Sequence, residues 1–143
     1  MQNCIESAVV DCLFDSSAAF ALLVPRDQYH ERARRFATTT RNLRLHTTVV
    51  VLGETYTTLR ARQGFGVARQ WTRGVLQSGT VDVHHFSQQD EAQIWAILDE
   101  FAGVPLSYAD ASLVALGRRL NLTAAFTFDD DLRQAGLEMI PAE

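Results

Sequence analysis

Five short runs rich in β-branched and aromatic residues, at positions 9–14, 43–47, 81–86, 124–128 and 137–140, alternate along the chain with longer stretches of helical pattern. A run that stays apolar from one residue to the next has no solvent-facing side and needs cover on both faces, as in a parallel sheet flanked by helices. The expected fold class is therefore α/β with a mainly parallel central sheet. Helices are expected over 16–23, 28–38, 48–62 and 67–76, with two more opening at Ser87 and Ser107 and reaching 101 and 120. Ser87 with Asp90, and Ser107 with Asp110, have the three-residue spacing of a capping box.

At 143 residues, 47% of them hydrophobic, the chain can bury one sizeable core, and no linker divides it, so a single domain over 1–143 is expected. No apolar run approaches the roughly 20 residues of a membrane span, and the first residues lack the basic-then-apolar order of a secretory signal. A cytoplasmic location with no membrane contact is the expectation. Cys4 and Cys12 are too few for a disulfide scaffold and are expected to be idle thiols.

The net charge of -4 conceals a strong asymmetry. Between Arg26 and Arg73 ten arginines face only Asp27, Glu31 and Glu54, whereas from Asp82 onward eleven acids face Arg118, Arg119 and Arg133. All thirteen basic side chains are arginine. Without lysine the chain cannot carry a P-loop, and it fits poorly with receiver or haloacid-dehalogenase-type phosphotransfer sites, which place a lysine beside the phosphoryl group.

Three carboxylates stand alone in otherwise uncharged stretches: Asp15 within 12–25, Glu54 within 49–59 and Asp110 within 101–117. A fourth position, Asp129, opens the triple acid Asp129-Asp130-Asp131 at the end of an apolar run. Burying an unpaired ionised carboxylate costs several kcal/mol, so such groups must be paired, protonated or bound to a cation. No basic residue shares the three lone-acid segments, and the economical arrangement is convergence on a hard divalent ion. Asp15 and Asp129 both lie where strands end, which is where open α/β sheets hold their ligands. If the triple acid is extended, Asp129 and Asp131 face one side and Asp130 the other. Each acid also has a plainer role open to it: helix cap for Asp15 and Asp110, solvated helix position for Glu54, solvated turn for the triple acid.

The order and spacing of these acids resemble the PIN-domain family, and within it the toxin ribonucleases of VapBC toxin–antitoxin pairs. The resemblance covers nearly the whole chain. It rests on Asp15-Ser16-Ser17 before an apolar helix, Pro25-Arg26-Asp27, His30-Glu31-Arg32-Ala33, Gly53-Glu54-Thr55, Ser107-Tyr108-Ala109-Asp110-Ala111-Ser112-Leu113, and Phe126-Thr127-Phe128-Asp129 with Gly136 and Pro141. Two departures stand out. Asp11, four residues before Asp15, could itself be the ligand of the first strand, although the spacing to His30 favours Asp15; and Asp130 stands where the family often has Arg, Asn or His.

The resemblance implies a three-layer α/β/α PIN-like domain and an endoribonuclease dependent on Mg2+ or Mn2+. Asp15, Asp110 and Asp129 would be metal ligands, Glu54 a further ligand or water-orienting base, and Asp131 a contributor to a second metal position. Ser17 or Thr127 would hold a ligand or the scissile phosphate through hydroxyl hydrogen bonds. It further implies a cognate antitoxin and a homodimer. RNA must be held by positive charge outside the acids, and the arginine-rich segment is the candidate: Arg32, Arg34, Arg35, Arg41 and Arg44, then Arg60, Arg62, Arg69 and Arg73. Tyr29, Tyr56, Phe65 and Trp71 are interleaved there. His84-His85 has no third donor at ligand spacing and is expected to be structural. The competing functions are a structure-specific DNA nuclease and a catalytically degenerate binding module.

Overall fold

In the computed structural model, which describes residues 8–142, Cys12 and Phe14 of strand β1 (Val10–Phe14) point into one layer while Leu13 points into the other. All three are buried, as a strand covered on both faces requires. One core packs Cys12, Phe14 and Phe126 against Ala18, Ala21 and Ala33. The alanines come from helices α1 (Ser16–Leu23) and α2 (His30–Thr39). The other core packs Leu13 and Ala125 against Ile94, Ile97, Leu113 and Leu116. Those four belong to α5 (Gln88–Glu100) and α6 (Tyr108–Leu120).

The remaining elements are β2 (Leu43–Thr48), α3 (Val49–Gln63), α4 (Phe65–Gln77), β3 (Val81–His84), β4 (Ala124–Phe126), α7 (Asp130–Gln134) and β5 (Glu138–Ile140). The sheet runs β3-β2-β1-β4-β5 with every pair parallel. The chain fills one side of β1 with β2 and β3, then crosses over to fill the other with β4 and β5. The order therefore reverses at β1, and a crevice opens beyond the carboxyl ends of β1 and β4. This is the expected α/β/α fold class.

Both capping boxes form, Ser87 with Asp90 and Ser107 with Asp110. Two strands end two residues earlier than expected: β3 stops at His84 rather than 86, and β4 stops at Phe126 rather than 128, with a short helix starting at Asp130. Cys12 is buried and its thiol is pushed up to about 12 by burial, so it is inert at neutral pH; Cys4 lies outside the described residues. Among the described residues no helix is long and apolar enough to cross a membrane.

Helix α6 ends with Asn121 in the left-handed conformation (φ 57°), and the Leu122 N–H returns to the Gly117 carbonyl at 2.8 Å. That return brings chain against Gly117. A Cβ there would lie 2.7 Å from the Leu122 carbonyl oxygen and 2.9 Å from Leu13 Cδ1. Gly117→Ala is expected to destabilise the protein by about 1–3 kcal/mol despite alanine's better helix propensity, since a backbone oxygen cannot step aside cheaply. Chemical denaturation of the variant checks this; an unchanged midpoint would mean that the α6 end relaxes freely.

Candidate active site

Asp15 directly follows β1, and its N–H donates to the Phe126 carbonyl at 3.1 Å, which ties it to the end of β4. It is the N-cap of α1 and only 3% exposed. The Ser17 hydroxyl donates to its Oδ2 at 2.7 Å and the Thr127 hydroxyl to the same oxygen at 2.8 Å. Those hydroxyl oxygens in turn accept from the Phe128 N–H at 2.9 Å and the Asp129 N–H at 3.0 Å. Both donor chains end on Oδ2. Among the described residues no donor meets Oδ1, yet no buried polar side-chain atom lacks a partner, so Oδ1 opens to solvent.

Asp129 caps α7, its Oδ1 accepting from the Asp131 N–H at 2.9 Å. Asp110 is the third residue of α6 and accepts from the Ser107 N–H through Oδ2 at 2.9 Å. The α6 start is held against the sheet by a buried hydroxyl pair, Thr48 with Ser112 at 2.8 Å. Glu54 projects from α3, whose first turn Thr48 caps. Three of the four acids thus sit at helix N-termini, where the dipole favours negative charge.

Burial and mutual repulsion outweigh that favour. Asp110 is pushed up from 3.8 to about 6, first by burial and then by the charges of Asp15 and Asp129, against the lowering Ser107 N–H bond. Asp129 is raised by burial and by Asp15 and Asp130, against the Asp131 N–H bond. Glu54 is raised by desolvation of its carboxyl and then by Asp15 and Asp129, although the residue as a whole lies open to solvent. The structure therefore brings Glu54 and Asp110 each within electrostatic reach of Asp15 and Asp129, and those two within reach of each other. Among the described residues none of the four has a basic side chain at ion-pair distance. An unbalanced set of oxygen donors fits a hard divalent cation. The acids are nonetheless held more loosely than a closed cage: among the described residues, the three metal-binding atoms found within 4.8 Å of one another belong to His46, Asp82 and His84.

Other expected residues fall differently. The alternation argument for Asp131 does not hold, because residues 130–134 are helical rather than extended; Asp131 is half-buried, while Asp130 is exposed and paired with Arg133. Thr127 is fully buried, and the protons of both Ser17 and Thr127 are committed to Asp15, so these hydroxyls orient the carboxylate and have no proton left for a phosphate. Asp11 is turned away from the crevice to His46, which leaves Asp15 as the acid of the first strand. Arg32 lies over the stacked rings of Tyr29 and Phe128, 5.8 and 5.4 Å from their centroids, and Phe128 immediately precedes Asp129 in the chain. Arg35 is exposed and unpaired among the described residues. Arg44 leaves the list of RNA-binding candidates, since both arms of its fork hold Asp82 at 2.9 and 3.0 Å. Arg60 and Arg62 lie over Phe65 and Phe20.

The chain is 32% identical over 93 residues to the 23S rRNA-specific endonuclease VapC20 of Mycobacterium tuberculosis, covering 65% of this chain and 70% of that protein. It superposes on the crystal structure of that Sarcin-Ricin loop cleaving toxin with a TM-score of 0.82, at 29% identity over 89% of this chain and 96% of the other. A toxin-antitoxin complex from Klebsiella pneumoniae shares the fold, with a TM-score of 0.62 at 16% identity over 89% and 95% of the two chains. The PIN domain profile matches residues 12–137, a span that runs from β1 through the last strand's approach and takes in all four acids. With the sheet reversing at β1 and the acids gathered at that reversal, the chain belongs to the PIN-domain family.

Proposed function

We propose that this protein is a metal-dependent endoribonuclease acting on single-stranded or loop RNA, and the toxin of a type II toxin–antitoxin pair. The observation that carries this reading is the convergence of four unpaired carboxylates at the sheet's switch point, with Asp15 Oδ1 left open. Asp15, Asp110 and Asp129 would hold Mg2+ or Mn2+, with Asp131 contributing to a second position. When bound, such ions polarise the phosphodiester and lower the pKa of water at the site. Glu54, whose raised pKa brings it nearer neutrality, accepts a proton from the attacking water and orients it. Ser17 and Thr127 hold Asp15 in one rotamer, so that Oδ1 always presents to the crevice.

RNA approaches an acidic crevice only if phosphates are neutralised beside it. Arg32 is pre-oriented on the stack of Tyr29 with Phe128, the residue before Asp129, and Arg35 lies one helical turn further on α2. These two would grip the strand, and the aromatic pair offers a surface for an unpaired base. Similarity to a ribosomal RNA endonuclease makes a ribosomal RNA loop the first substrate to test. A cytoplasmic protein partner fits the same reading: Phe65, Leu76 and Trp95 are more than half exposed, apolar surface that an antitoxin or a second copy would cover.

Cleavage of a sarcin–ricin-type RNA hairpin, of unstructured RNA and of single-stranded DNA should be compared with Mg2+, with Mn2+ and with a chelator. Metal-dependent cleavage of the hairpin but not of the DNA is the expected result. Cleavage that survives chelation would overturn the metal assignment, and DNA as the sole substrate would overturn the ribonuclease assignment.

A further inference from the structure

On the α5–α6 face of the sheet, away from the acidic crevice, three adjacent strands bring four titratable side chains together. His46 of β2 pairs in register with Asp82 of β3, and His84 follows two residues later on the same face. His46 Nδ1 lies 3.0 Å from His84 Nε2 and 3.8 Å from Asp82 Oδ2. Two ligands each about 2.1 Å from a tetrahedral ion stand about 3.4 Å apart, a value these two separations bracket. The outer nitrogen of His46, Nε2, bonds Asp11 Oδ1 at 2.7 Å. A carboxylate on the far nitrogen of a histidine is the arrangement that fixes a metal-ligating imidazole. Asp11 sits in the first half of β1, and the three ligands lie on β2 and the edge strand β3, so the cluster is set across the sheet from β4 and Asp129.

We propose that His46, His84 and Asp82 form a second cation site, selective for a borderline transition metal such as Zn2+, with Asp11 as its positioning residue. Two imidazoles and one carboxylate favour Zn2+ over Mg2+, which prefers an all-oxygen shell. The surrounding charges do not repel the ion: Arg44 and Arg119 are offset by Asp82, Asp11 and the Asp90 partner of Arg119. Asp82 keeps lone pairs for a metal beyond those that accept from Arg44. Arg119 Nη2 lies 3.3 Å from His84 Nδ1; an ion on Nε2 would put the ring's proton on Nδ1, so Arg119 would give up that contact and rest on Asp90, which its Nη1 already holds at 3.0 Å. The side chain of His46 is 12% exposed against 36% for Asp82, so the ion would be reached from the Asp82 side. An ion there would clamp the edge strand β3 onto β2.

The chelator-stripped full chain should be titrated with Co2+ in the presence of excess Mg2+. One equivalent of Co2+ is expected to give the intense visible absorption of a tetrahedral site, displaced by Zn2+, and Zn2+ alone should raise the melting temperature. His46→Gln and His84→Gln should each abolish the band and the Zn2+ shift, whereas His85→Gln should keep both. Circular dichroism and Mg2+-dependent RNA cleavage report whether each variant is folded. Should either histidine variant fail to fold, Asp11→Asn serves in its place, and is expected to retain the band while weakening Co2+ binding by about 10–100-fold. No Co2+ band in the wild type, a band unchanged in the folded histidine variants, or a Co2+ affinity unchanged in Asp11→Asn overturns the site and leaves the cluster a polar ladder between strands. RNA cleavage is a separate readout, so failure here is distinguishable from failure of the nuclease reading.

Discussion

Replacing Asp110 by Asn is expected to cut RNA cleavage by more than about a hundredfold while the fold survives. Loss of an outer partner of a metal ligand costs about 10–100-fold, so removing the charge of a ligand itself must cost more. Asparagine is the informative substitution because of what Asp110 does locally. Its Oδ2 accepts from the Ser107 N–H at 2.9 Å, and an amide oxygen can keep that bond and the α6 cap. Alanine would forfeit the reciprocal half of the cap, about 1 kcal/mol, and blur a catalytic loss with a structural one. The neutral amide also removes one member of a set of mutually repelling carboxylates. The metal-free variant should therefore melt above the metal-free wild type even as activity disappears, a trade expected where function is built on strain between charges. Cleavage assays and melting curves on the same preparation decide the matter. Wild-type turnover in Asp110→Asn would remove Asp110 from the active site, and with it the argument from lone carboxylates.

Those lone carboxylates were legible because they contradict their surroundings: Asp15 and Asp110 stand in segments otherwise built for core, and a buried charge demands an explanation before any coordinates exist. Strand ends were legible for a similar reason, since continuous apolar runs mark covered strands and α/β sheets work at their carboxyl edges. What escaped depended on geometry that no local pattern encodes. Whether the triple acid is extended or helical turns on Asp129 capping Asp130–Gln134, and the alternation assigned to Asp131 fails with it. Thr127 reads as a ligand or phosphate donor in the sequence because its commitment to Asp15 joins residues 112 positions apart, whereas the Ser17 bond to the same oxygen spans only two residues. Arg44 looked available until strand pairing set it against Asp82, and His84 looked isolated until register set it against His46, 38 residues away. Register between parallel strands is fixed by packing of the whole sheet, so contacts that depend on it are invisible in a single sequence.

Mg2+ or Mn2+ is expected to raise the melting temperature by an amount that grows with pH. In the metal-free protein Asp110 has its pKa raised to about 6 from an ordinary 3.8, and Asp129 and Glu54 are raised too. A carboxyl with a raised folded pKa binds protons more tightly in the folded than in the unfolded chain. Stability of the metal-free protein therefore falls as pH rises between about 4 and 6, and the penalty is complete above that window. A divalent cation binds the ionised acids and relieves the same repulsion, so it competes with protons below pH 6 and meets no competition above it. At a hundred times its dissociation constant it should add about 2.7 kcal/mol, roughly 10 °C for a domain of this size. At pH 5 competition at Asp110 alone should remove about half of that increment, and the raised Asp129 and Glu54 should remove more. Asp110→Asn should reduce the metal-induced shift at pH 7.5 and flatten its pH dependence, whereas His84→Gln should alter neither, because its cluster lies on β2 and β3 away from the crevice. A shift of equal size at pH 5 and 7.5 in the wild type, or one untouched by Asp110→Asn, would show that the stabilising ion binds somewhere other than among these acids.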